Sequence, residues 1–176
     1  MDAPDPQFTI RGMDAADVGR CFWVRTHTRE QCSTLEGLTQ AGISEDAVTR
    51  LLTSSHKGWV CEQDGQIVGF SMADGSNGEF WVVAVLPEYE GRGIGRQLIE
   101  RGQQWLHDMG WQEIWLCTSP NTSTRAYKLY GLLGWRDCGV TDGQRIMRRH
   151  KEQRARQGQD DHTMQWTGPA FRGLVE

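Results

Sequence analysis

No apolar run in this sequence approaches the length of a membrane span. Nor does a basic segment followed by an apolar one stand at its start. Met1 to Gln7 is acidic and proline-rich, so a signal peptide is not expected. The five cysteines are odd in number, and the chain has no C-x-x-C and no Cys/His ligand spacing. That predicts reduced thiols rather than a disulfide framework, and no metal site. Positive charge is also short: 19 Lys and Arg face 23 Asp and Glu, for a net charge of −4, which argues against nucleic acid as the main partner. Internal repeats are missing. What these absences leave is a soluble chain, expected in the cytoplasm and outside any membrane, long enough at 176 residues for one sizeable core.

The most informative stretch runs from Val82 to Leu98. An apolar run ended by Pro87 reads as a buried strand, and the return of apolar residues at Ile94, Leu98 and Ile99 marks a helix. Between them Gly91, Gly93 and Gly95 remove side chains from a turn at a helix entrance. There, backbone N–H groups without partners and the positive end of the helix dipole meet an anionic group, most often a phosphate. Arg92 and Arg96 add charge at the same place. No Lys followed by Ser or Thr comes after the glycines, as a P-loop requires, and the spacing is not the dinucleotide G-x-G-x-x-G.

Taken in order, Phe8 to Arg11 alternates like a first strand. Asp14 and Asp17 then open a helix carrying Val18, Cys21, Phe22 and Val24, which should end near His27. Thr34 to Gly42 reads as a polar connection, and Ser44 caps a second helix with Val48, Leu51 and Leu52. Trp59 to Glu62 and Gln66 to Ala73 form a hairpin about Asp64-Gly65, and Glu79 to Leu86 completes a three-stranded meander. Past the glycine turn, Ile94, Leu98, Gly102, Trp105, Leu106 and Met109 share one helical face, which Gly110 ends. Ile114 to Cys117 is a short strand, in which Cys117 reads as a core residue. Thr122 or Ser123 caps a last helix bearing Ala126, Leu129, Tyr130 and Leu133, and Trp135 to His150 is a final hairpin about Asp142-Gly143.

Two of these stretches together resemble the GNAT superfamily of acyl-CoA-dependent N-acyltransferases. The superfamily's signature is Gln or Arg, two residues, Gly, one residue, then Gly or Ala. Here it reads Glu90-Gly91-Arg92-Gly93-Ile94-Gly95, with Glu90 in place of the usual first residue. A second superfamily motif is matched by Ala126, Tyr130, Gly134 and Trp135, with Ser123 at the usual Asn position and Asn121 two residues earlier. The resemblance covers residues 8 to 150, leaving residues 1 to 7 as an extension and residues 151 to 176 as a polar tail. It implies an α/β fold: a mixed, mostly antiparallel sheet of about seven strands, flanked by about four helices and splayed between strands 4 and 5.

The resemblance further implies acetyl-CoA as cosubstrate and a small-molecule or peptide amine as acceptor. Backbone groups of Val83, Ala84 and Val85 would bond the pantetheine arm beyond a bulge. The amides of Arg92, Gly93, Ile94, Gly95 and Arg96, with Gly91, would take the pyrophosphate, and Asn121 would stand in for the motif's Asn. Tyr130 becomes the candidate general acid toward the departing thiolate. Glu79 falls where some members carry a catalytic glutamate, with an ordered water chain as the alternative base. Trp23, His27 and Glu30 become acceptor contacts, and Glu30, Glu36, Asp74 and Glu79 are the acids that could meet a cationic amine. His56, read as a loop residue, and His107, on the long helix, receive no chemical role. In the tail, Trp166 and Phe171 are either mobile or docked on the domain or on a second subunit of a homodimer. Two functions stay open: an N-acetyltransferase, and a non-catalytic acyl-CoA-binding module.

Overall fold

Seven strands form one sheet in the order β1-β2-β3-β4-β5-β7-β6 in the computed structural model, which describes residues 7–30 and 34–152. The strands are β1 Thr9–Gly12, β2 His56–Gln63, β3 Gln66–Asp74, β4 Glu79–Val85, β5 Glu113–Thr118, β6 Arg136–Thr141 and β7 Gln144–His150. Every pairing is antiparallel except β4 with β5, which is parallel. The expected meander is β2-β3-β4, and β4 lies fourth of the seven. Asp64 and Gly65, at φ 52° and 73°, supply the two positive φ values that its two-residue turn requires.

The helices are α1 Val18–Thr26, α2 Leu35–Gln40, α3 Glu45–Leu52, α4 Ile94–Asp108 and α5 Arg125–Leu132. A 3-10 turn, Ala15–Asp17, leads into the first; Asp14 opens it in a capping box with Asp17, whose carboxyl is held below the usual range by the Arg11 guanidinium at 2.7 Å. Ser44 caps α3 as the sequence predicts. Between them stands a helix that the sequence reading missed. The Thr34 side chain accepts from Gly37 N at 3.0 Å, and Leu38 alone is buried. Six residues with one core contact show no apolar periodicity, so Thr34 to Gly42 reads as a connection although its cap signal is present.

The long helix α4 lies across β2, β3 and β4. Ser71 Oγ donates to Leu98 O at 3.1 Å, and Gly102 sits so close to Phe80 that a Cβ built there would meet its ring at 2.5 Å. Ile94, Leu98, Ile99 and Leu106 are fully buried against this face, each stabilising the fold by roughly 1.5–3 kcal/mol relative to exposure. Met109, predicted on the buried face, is exposed because the helix ends at Asp108. Alternate strand residues point to opposite faces. Phe80 faces α4, so its neighbour Glu79 and the cross-strand partner Asp74 face the other side, where α1 lies against β3 and α3 against β2.

Two further boundaries differ from expectation. His56 is the first residue of β2 and its side chain is buried, not in a loop. Thr124, rather than Thr122 or Ser123, caps α5, its Oγ1 accepting from Tyr127 N at 3.3 Å. Ser123 is instead held by Asn121, whose Oδ1 accepts from its N–H and its hydroxyl. Trp166 and Phe171 lie outside the described residues.

Candidate functional site

The site begins where β4 and β5 part. Their parallel ladder consists of Glu79 opposite Trp115, joined by Trp115 N donating to Gly78 O at 3.1 Å. Beyond that pair β4 keeps its bonds to β3, with Val83 opposite Ser71, Ala84 opposite Phe70 and Val85 opposite Gly69. On its other edge, no ladder to β5 continues among the described residues. The register between β3 and β4 shifts between Met72 and Ala73, whose partners are Val82 and Phe80. Trp81 is the extra residue of this bulge. A bulge followed by a bare edge exposes main-chain donors and acceptors along Val83 to Val85, a surface that suits an extended amide-bearing chain.

At the far end of β4 the chain turns into α4. Gly93 is the N-cap, in the left-handed region at φ 81°, with no side chain bonding the first turn. The first bond of the helix is Gln97 N to Gly93 O, so the N–H groups of Ile94, Gly95 and Arg96 point outward without an intrahelical partner. A Cβ built at Gly91 or Gly93 would meet nothing within 4 Å. The space over the turn is open, and with the helix dipole it fits a pyrophosphate. The guanidinium of Arg92 lies over the Tyr89 ring at 5.2 Å and donates to Glu88 O at 3.2 Å, while Arg96 pairs with Glu100 at 2.9 Å.

Glu79 is 4% exposed. Burial pushes its carboxyl up to about 7; the Asn77 side chain opposes the shift and the Asp74 charge adds to it. Asp74 lies directly across β3, and His56 across from Asp74 on β2, with His56 Nδ1 3.8 Å from the Asp74 carboxylate. Burial holds the His56 imidazole below its ordinary value, and its ring meets Trp81 edge-on at 4.8 Å. Cys117, on β5, is half-buried, not fully in the core as expected. Burial first and the Glu79 charge second push its thiol up to about 11, so it stays protonated.

Tyr130 projects from α5 into the interior. Desolvation drives its phenol well above the ordinary range, so the hydroxyl keeps its proton, and it bonds no other group among the described residues. Its ring packs against Trp135 at 6.0 Å, and Trp135 in turn lies 6.3 Å from Phe80, which couples α5 to the start of β4.

Of the four acids expected near an amine, Asp74 and Glu79 stand together. Glu36 is in the first turn of α2, and Glu30 accepts from Arg125 N at 2.8 Å, capping α5. Trp23 is 41% exposed, stacked on His27 at 3.9 Å and covered by Arg20 at 3.9 Å. Sequence reasoning missed the ion pairs of Glu90 with Arg125 and Arg29, because no periodicity links three separate stretches of chain. Among the described residues no group of three His, Cys, Asp or Glu side chains is arranged to hold a metal ion, and no helix is long and apolar enough to cross a membrane.

The model of the Acetyltransferase (GNAT) family matches residues 23–135. A mycothiol acetyltransferase from Thermobispora bispora is 35% identical over 86 residues, 44% of this chain and 29% of that protein, so the chain spans under a third of this relative's length. Among solved structures, the PaiA N-acetyltransferase of Thermoplasma acidophilum in complex with coenzyme A superposes with a TM-score of 0.71 at 16% identity, over 82% of this chain and 99% of that one. The structure of yncA from Salmonella typhimurium, solved with its cofactor acetyl-CoA, gives 0.62 at 19% identity, over 86% and 98%. At these identities the structural likeness speaks for the fold.

Proposed function

Because the chain belongs to the GNAT acetyltransferase family, we propose that it is an N-acetyltransferase moving an acetyl group from acetyl-CoA to a primary amine of a small molecule or peptide. The observation that carries this reading is Glu79, a buried carboxyl pushed up to about 7 at the mouth of the β4–β5 opening. An ordinary carboxylate is too weak a base for an ammonium group, whereas one poised near neutrality accepts a proton at working pH. A module that only bound acyl-CoA would gain nothing from burying an acid there, which favours the enzyme over the binding module.

Acetyl-CoA supplies an acyl group activated as a thioester. In the chain, the N–H groups of Gly93, Ile94, Gly95 and Arg96 would hold its pyrophosphate, and the bare edge of Val83, Ala84 and Val85 its pantetheine arm. Glu79 takes the proton that an amine must lose before its lone pair can attack, and Asp74 draws the cationic form toward it. Tyr130, protonated throughout the working range, gives a proton to the sulfur as the C–S bond breaks, while the nitrogen sheds its second proton to solvent as the amide forms, and Tyr130 and Glu79 return to their starting states by exchange with solvent. Asn121 contributes through its amide nitrogen, its oxygen being engaged by Ser123. The test is release of free thiol from acetyl-CoA across a panel of polyamines, amino acids, aminoglycosides and short peptides. Release dependent on one acceptor class supports the transferase and names its substrate, and binding without release on any of them would favour the binding module.

A further inference from the structure

Glu90 stands where the family signature has Gln or Arg, beside the turn assigned to pyrophosphate. A bare carboxylate there would repel the ligand. It is not bare. Its Oε2 accepts from Arg125 Nη1 at 2.7 Å, and Arg29 Nε lies 3.6 Å away. The carboxylate is the covered member, its side chain 18% exposed against 55% and 60% for the two arginines. A second bond ties the same segments together, Arg125 N donating to Glu30 Oε2 at 2.8 Å. Three stretches of chain thus converge on one side of the Gly91–Gly95 turn: the loop after α1, the turn itself and the first residue of α5.

We propose that Arg125 and Arg29 are cofactor-binding residues, held by Glu90 at the rim of the turn so that their remaining N–H groups bind a CoA phosphate. The cation missing from position 90 is supplied from the loop after α1 and from the first residue of α5, and Glu90 is its anchor. This rests on the reading above that the pyrophosphate lies over the turn. A guanidinium has five N–H donors in a planar fork, so bonding one carboxylate oxygen leaves the other edges able to meet a phosphate. The two guanidinium groups balance the two carboxylates that meet here, Glu90 and Glu30, so the rim does not carry the net negative charge that Glu90 alone would bring. The side chains of Arg92 and Arg96 are directed to Tyr89, Glu88 and Glu100, which makes a cation from elsewhere more useful.

The proposal opposes the simple expectation about position 90. If Glu90 were only a liability, Glu90→Arg would restore the signature and tighten CoA binding. If it anchors the arginines, the same change repels both and weakens binding. Calorimetric titration of the full chain with CoA decides between them. For Arg125→Ala and for Glu90→Arg the expected result is about tenfold weaker binding, one decade in Kd. Arg125→Lys, which keeps the cation, should lose much less, and the melting temperature should stay at the parent's in all of these variants, a split between affinity and stability that a purely structural ion pair would not give. Binding by Glu90→Arg as tight as the parent's, or an Arg125→Ala variant indistinguishable from the parent, overturns the proposal while leaving the cofactor reading intact. A parent that does not bind CoA overturns both.

Discussion

Glu79 of β4 and Trp115 of β5 form the parallel pair at which the two strands last meet, and the residue at the end of that ladder also carries the buried acid of the site. One position thus marks the opening between the strands and carries the proposed base at its end. Several outcomes depend on that coincidence.

Glu79→Gln is expected to lower kcat by about 100-fold or more, within the usual range for loss of a general base. In the parent, activity should rise with pH through about 7, since only the ionised carboxyl accepts a proton, and the variant should lack that limb. The pH profile of kcat/KM on the acceptor checks this. An unchanged limb would move the base to a water chain.

The same burial has an opposite consequence for stability. A carboxyl whose folded value lies at about 7 and whose ordinary value is 4.5 binds its proton more tightly in the native state. Stability is then greatest below about pH 4.5 as far as this group goes, and is lost as pH rises toward 7. Glu79→Gln removes the penalty, so above pH 7 the variant should be more stable than the parent, by up to about 3 kcal/mol. Chemical denaturation at pH 5 and pH 8 measures it, and a variant less stable at pH 8 would contradict the burial argument.

Tyr130→Phe should cut turnover by about 10- to 100-fold while leaving the Kd for CoA within about twofold. Its hydroxyl bonds nothing among the described residues, so the melting temperature should hardly move. Unchanged turnover would take Tyr130 out of the mechanism.

Gly93→Asp and Gly93→Asn separate backbone from charge. Both place a side chain at φ 81°, a cost of about 1 kcal/mol that Asn and Asp bear best, and neither meets a neighbour. Stability should therefore fall alike in both. Only Asp adds a negative charge beside the pyrophosphate, so it should weaken CoA binding by about 100-fold and Asn by much less. Equal affinities would mean that the phosphates lie elsewhere.

Much of this was legible in the sequence because the devices are local. The capping box of Asp14 and Asp17, the Asp64-Gly65 turn and the glycine turn at α4 are each written within a few residues, and each stands where expected. The short helix α2 was not legible, because a single buried Leu38 leaves no period to read. Nor was the environment of Glu79. In sequence it borders a turn and looks solvated, and only the register of β3 with β4 and the closing pair with Trp115 bury it. The Glu90 ion pairs bring together residues 35 and about 60 positions apart, which no local pattern encodes.

The most direct measurement is calorimetric titration with acetyl-CoA followed, on the same sample, by thiol release with a panel of primary amines. Saturable binding is expected, with release that depends on one amine class and that in Glu79→Gln is about 100-fold slower and no longer rises with pH through about 7. Absence of acetyl-CoA binding by the parent, or release indifferent to Glu79, would contradict the proposed function.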